Sequence, residues 1–126
     1  MPAFYKIDKG RRFVLSTLSG ELTYAEALAH QRDLSADPDF DPTFSHVADF
    51  THASLTRISS EEMLKFAQRS IFSPEARRAL IMPNPGDYGL GRMYETLRHL
   101  EGQTGVRAFR TLEDAMDWIV GPLPDA

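Results

Sequence analysis

The 126-residue sequence contains no cysteine. That absence removes disulfide scaffolds, thiolate zinc sites and cysteine nucleophiles together, and nothing in the composition asks for an oxidising compartment. Long apolar runs are also missing, since no window approaches the roughly 20 consecutive apolar residues of a membrane span. The opening MPAFYKIDKGRR has no apolar stretch of signal-peptide length, so the expected location is the cytoplasm. Positive charge is not in excess: 14 Lys and Arg stand against 18 Asp and Glu, a net charge of -4. The basic residues are scattered, which argues against nucleic acid as a partner. A chain of this length buries enough apolar surface to fold as one domain without staples.

What is present is a rhythm of short apolar runs followed by capped amphipathic stretches. Ala3 to Asp8 and Arg12 to Leu18 predict a hairpin, with Gly10 supplying the positive φ of the turn. Thr23 and Glu26 have capping-box spacing, so a helix is predicted from there to about Ala36, stopped by the prolines of Asp37-Pro-Asp-Phe-Asp-Pro42. Phe44 to Phe50 reads as a buried strand. Ser59 and Glu62 repeat the capping box, and Met63, Phe66, Ala67 and Ile71 give the second helix its apolar stripe until Ser73-Pro74. Arg78 to Met82 is a short strand ending at Pro83-Asn-Pro-Gly86. Leu90, Met93, Leu97 and Leu100 form the stripe of a third helix, closed by Gly102 and Gly105. Val106 to Arg110 is the last strand. Thr111 caps a fourth helix, with Leu112, Ala115, Met116 and Ile119 inward, until Gly121-Pro122.

Strands separated by helices pair in parallel through crossovers. The expected fold is therefore α/β: a single domain over residues 1–121, with a mixed five-stranded sheet, an N-terminal hairpin, βα repeats and four main helices. A frayed tail follows at 122–126. The predicted core comprises Phe13, Leu15, Val47, Phe66, Leu80, Met93, Leu97, Phe109, Met116 and Ile119.

The strand FSHVADF, the segment SPEARRALIMP, the helix opening DYGLGRMYE and the closing VRAFRTLEDAMDWI together resemble the bacterial STAS-like, or SpoIIAA-like, domains, in particular the uncharacterised branch grouped with STAS and CRAL-TRIO domains. The resemblance covers almost the whole chain and implies a fold without an agreed activity. Better-known members are anti-sigma-factor antagonists with a phosphorylatable serine in a DS[ST]G-like turn. Ser59 and Ser60 stand near that place in LTRISSEE, but neither follows an aspartate nor precedes a glycine. A helix cap is the expected role there.

Chemistry-bearing residues are sparse. His46, Asp49 and His52 have the look of spaced ligands, but alternation turns Asp49 away from both histidines, which are about 20 Å apart along a strand. Asp49 either locks the following turn or serves a site at a strand end. Asp37, Asp39 and Asp41 mimic the start of a calcium loop that Pro42 and Ala48 do not complete. Gly86 to Gly91 opens a helix with spacing that matches no phosphate-binding fingerprint, so close packing of loop and helix on the sheet is the competing role. His30 and His99 are expected on solvated helix faces, and Trp118 in the core or as a partly buried anchor. No serine lies in a G-x-S-x-G elbow.

No catalytic residue, metal or cofactor is therefore assigned. The expected function is a non-enzymatic STAS-like binding or regulatory module for a protein partner, a second copy of the chain included, or for a small amphipathic or anionic ligand. The alternative is a small-molecule or lipid carrier with a pocket at the C-terminal strand ends. The candidate binding residues are Asp49, Thr51, Tyr88 and Arg92, where the loops after three strands are expected to converge.

Overall fold

The computed structural model describes residues 3–67, 71–74, 76–102 and 105–120. Its strands are β1 (Ala3–Asp8), β2 (Phe13–Glu21), β3 (Ser45–Ser54), β4 (Arg78–Ile81) and β5 (Val106–Phe109). Its helices are α1 (Tyr24–Ala36), α2 (Ser60–Ala67), α3 (Pro85–Leu100) and α4 (Leu112–Val120). The sheet runs β1-β2-β3-β4-β5. β1 pairs antiparallel with β2, and every later pair is parallel. The α/β class, the mixed five-stranded sheet and the four helices are as the sequence predicts. No helix among the described residues is long and apolar enough to cross a membrane.

Local chemistry fixes the helix starts. Thr23 and Glu26 form a reciprocal capping box on α1, and Ser59 and Glu62 form another on α2. Asn84 accepts from Gly86 N at 2.9 Å, which puts Pro85 in the first turn of α3, where its missing N–H costs nothing. The Thr111 hydroxyl accepts from Asp114 N at 3.1 Å ahead of α4. α3 ends on Gly102 with φ 83°, the left-handed conformation glycine supplies without strain.

Alternation along the strands divides the core in two. Val14, Ser16, Leu18, His46, Ala48, Arg78, Leu80, Val106 and Ala108 share one face of the sheet by register. Buried residues of α1, α2 and α3 pack there, Ala27, Leu34, Met63 and Tyr94 among them. The opposite face carries Val47, Ala79 and Ile81, covered by Ala115 of α4 with Met116, Trp118 and Ile119 around it.

Several expectations need correction. In the hairpin turn the positive φ falls on Arg12 (55°) and not on Gly10, because the loop closes through Arg12 N to Lys9 O at 3.3 Å. β3 runs on to Ser54, past Phe50. Ile71 lies in a bend outside α2. On α3 the buried residues are Gly91, Tyr94 and Arg98; Leu90, Met93 and Leu97 flank them, and Leu100 is 79% exposed. Of the predicted core, Val47 and Leu80 are buried, whereas Phe13, Leu15, Phe66, Met93, Leu97, Phe109, Met116 and Ile119 are half-buried at its edges. The inward β2 positions are Val14, Ser16 and Leu18, which the apolar Phe13 and Leu15 mask in the sequence. The stop at Gly121-Pro122 and the tail 122–126 lie outside the described residues, as does the side chain of Ala67 in the α2 stripe.

Candidate functional site

Between the three-helix side and the sheet lies a cavity of about 100 Å³. Its wall is mostly apolar, built from residues such as Leu18, Leu34, Phe50, Met63 and Leu80, and it also includes His30, Gln31, His46, Arg78 and Tyr94. β2 and β3 position the first polar group. Ser16 is fully buried, and its Oγ lies 2.7 Å from His46 Nε2 and 2.9 Å from His30 Nε2. Burial holds the His30 ring below its ordinary pKa. Burial, with the positive charge of Arg78 behind it, holds His46 well below. Both imidazoles are thus neutral near pH 7, and the serine hydroxyl donates to one ring while accepting from the other.

A serine and a histidine at that distance have the spacing of a nucleophile and its base. Ser16, however, is sealed mid-strand, and His46 Nδ1, where an orienting carboxylate would sit, has no hydrogen-bond partner. The His46 ring instead stacks on Phe72, with centroids 4.8 Å apart and 16° between planes. The second polar group is Arg78, 5% exposed, whose Nη2 donates to the Tyr94 hydroxyl at 3.3 Å. An arginine inside an apolar wall is costly, because desolvating an ion takes several kcal/mol that only good partners return.

Sequence reasoning missed this cluster. His30 was expected on a solvated face, yet it is half-buried against Ser16 and 5.8 Å from the Tyr5 ring. His46 faces the helices from β3. His99 accords better with its expectation, being exposed, with Nε2 3.2 Å from Val106 O. A usable signal existed: Ser16 is the polar member of Val14-x-Ser16-x-Leu18, an inward alternation that needs a buried partner.

The four predicted binding residues fall into two pairs. Asp49 Oδ1 accepts from Thr51 N at 2.9 Å and from the Thr51 hydroxyl. They sit where β3 carries one extra residue, since Thr17 pairs with Asp49 but Ser19 with His52. The carboxylate satisfies an N–H in this bulge, so Asp49 acts locally. The bulge also reverses the phase of the strand, so His52 does not share a face with His46 as simple alternation predicts. Among the described residues no group of histidines and carboxylates is arranged to hold a metal ion.

Tyr88 and Arg92 form the other pair. The Tyr88 hydroxyl and Glu95 hold the Arg92 guanidinium above its ordinary pKa, with Arg92 Nε 3.7 Å from Glu95 Oε2. The Arg110 guanidinium lies 5.9 Å from the centre of the Tyr88 ring. A separate groove at these strand ends is lined by Thr51, Pro83, Asn84 and Asp87 among others, but not by Asp49, Tyr88 or Arg92. Gly91 serves packing: a Cβ there would lie 2.5 Å from Met82 Sδ and 3.2 Å from Ala108 Cβ.

The acidic loop is likewise structural. Asp37 accepts from the Tyr5 hydroxyl at 2.8 Å and from Asp39 N at 2.9 Å, and Asp41 accepts from Thr43 N at 2.9 Å. Burial and then the Asp37 hydrogen bond push the Tyr5 pKa up to about 12. Ser59 is the α2 cap, and Ser60 is exposed in its first turn. Trp118 is half-buried, 5.5 Å from the Phe109 ring.

No known protein-family description matches this sequence, and no curated protein matches it. Among solved structures it is similar to the crystal structure of an uncharacterised protein of the DUF3478 family with a SpoIIAA-like fold from Shewanella loihica PV-4. The TM-score is 0.55 at 18% identity, over 93% of each chain. The fold is SpoIIAA-like, as the sequence resemblance implies.

Proposed function

We propose that this domain is a non-enzymatic binding module whose ligand is a small molecule held between the sheet and helices α1 to α3. The observation that carries the reading is the cavity beside Ser16, His46 and Arg78: an apolar wall with a few convergent polar groups is the usual make-up of a small-molecule site. Its size limits the occupant. An engineered cavity of about 150 Å³ holds benzene, so about 100 Å³ suits a short chain or a single ring. A long-chain lipid requires the helices to move apart.

The large apolar side chains exposed among the described residues, Phe4, Leu64, Leu100, Leu112 and Val120, lie on four different elements. They give a protein partner less to hold than the cavity gives a small molecule.

Native mass spectrometry of the purified protein is expected to report a small co-purifying molecule. Titration with benzyl alcohol, followed by NMR, is expected to perturb Ala27, Leu34 and Met63. The response should vanish in Ala27→Leu, which fills the space. Equal binding in that variant, or none in the wild type, overturns the reading.

A further inference from the structure

We infer that the ligand of this cavity carries a carboxylate, and that Arg78 receives it; the inference rests on the binding function proposed above and names its ligand class. A guanidinium stays protonated at physiological pH and offers five N–H donors. In Arg78 one nitrogen, Nη2, reaches the Tyr94 hydroxyl, and the guanidinium carbon lies 4.8 Å from the centre of the Phe72 ring. Nε and Nη1 have no hydrogen-bond partner. None of the ion pairs among the described residues involves Arg78. A hydroxyl and a ring face leave the positive charge uncompensated, whereas buried charges in folded proteins are almost always paired.

Arg78 lines the cavity, so an anion there reaches it without crossing the fold. His46 is its register partner on β3 and lines the same space, with Nδ1 also lacking a partner. Two neighbouring side chains thus hold unused hydrogen-bonding capacity at one place in a mostly apolar wall. One guanidinium balances one negative charge, which fits a carboxylate better than a doubly charged phosphate. The volume fits an acid with a short chain or one ring.

The test compares benzoate and hexanoate with benzyl alcohol and 1-hexanol by calorimetric titration of the wild type and Arg78→Met. In the wild type the acids are expected to bind about tenfold or more tighter than the matching alcohols, as charge-assisted hydrogen bonds provide. In Arg78→Met the order reverses. Alcohols that bind as well as or better than the acids in the wild type overturn the carboxylate and leave the cavity reading standing. Binding of neither class overturns both. Acids that bind both proteins equally remove Arg78 from the site. Without ligand, Arg78→Met is expected to melt no lower than the wild type, because the change removes an uncompensated charge and keeps an unbranched apolar stem in the cavity wall. In a variant that still folds, a clear fall in melting temperature shows that the guanidinium is already paired within the fold and overturns the inference. The wild-type comparison decides alone if the variant does not fold.

Discussion

His46 and Arg78 are register partners on adjacent parallel strands, and both line the same cavity. The arrangement sets an imidazole beside a permanent cation inside an apolar wall. It makes the charged form of His46 expensive and ties the stability of the sheet to pH.

The sign follows from the two lowered histidines. In the folded chain His30 and His46 titrate below the ordinary value of 6.5, so below that pH the unfolded chain binds more protons than the folded one. The stability they contribute is complete above about pH 6.5 and is lost as pH falls through their folded values. Thermal melts between about pH 7 and pH 5 should show a falling midpoint, with a shallower slope in His46→Gln. A midpoint independent of pH over that range contradicts the neutral pair.

Two glycines of α3 separate packing from propensity. Gly91→Ala should destabilise by about 1–3 kcal/mol, the usual cost of overpacking, because Met82 and Ala108 stand in the way. Gly89 has open space around its Cβ position, so Gly89→Ala should stabilise by about 0.5–1 kcal/mol. Urea midpoints of the two variants should move in opposite directions. Movement in the same direction shows that α3 does not approach β4 and β5 as described.

The two serines at the start of α2 should also behave differently. Ser59→Ala removes a cap and should cost about 1 kcal/mol. Ser60→Asp puts a negative charge in the first turn, where the helix dipole favours it, and should leave the fold intact with an unchanged or raised midpoint. An unchanged midpoint in Ser59→Ala, or unfolding of Ser60→Asp, reverses the assignment of cap and exposed turn residue.

The residues at the strand ends give a competing location that one substitution checks. Arg92 is engaged with Tyr88 and Glu95 and does not line the cavity. The thermal shift induced by benzoate should therefore be equal in the wild type and in Arg92→Ala. A shift lost in the variant moves anion binding to the groove around Thr51 and Asn84.

The legible parts of this fold are those decided within a few residues. Thr23 with Glu26, Ser59 with Glu62, and Thr111 with Asp114 announce helix starts because the cap and its N–H are three positions apart. The parallel pairing of β2 to β5 follows, since strands separated by helices pair through crossovers. The phase of α3 was not legible: Leu90, Met93 and Leu97 define a stripe in sequence, but the close approach at Gly91 turns Tyr94 and Arg98 inward and leaves Leu100 exposed. The Ser16 cluster escaped for a different reason. Its members are 14 and 30 positions apart, and only the folded sheet brings them within hydrogen-bonding distance.

The extra residue in β3 has a consequence for how this strand tolerates change. Before it, even-numbered side chains face the helices; after it, Ala53 packs inward and His52 lies exposed. Removing one residue between Asp49 and His52 would take out the bulge and make the ladder regular while leaving Ala53 inward and His52 outward, because the lost residue is the one that has no partner on β2. The strand can therefore lose one residue there without exchanging its faces, whereas a one-residue loss anywhere in the regular ladder would turn every later side chain over. Asp49, by holding Thr51 N, marks the position from which the count restarts.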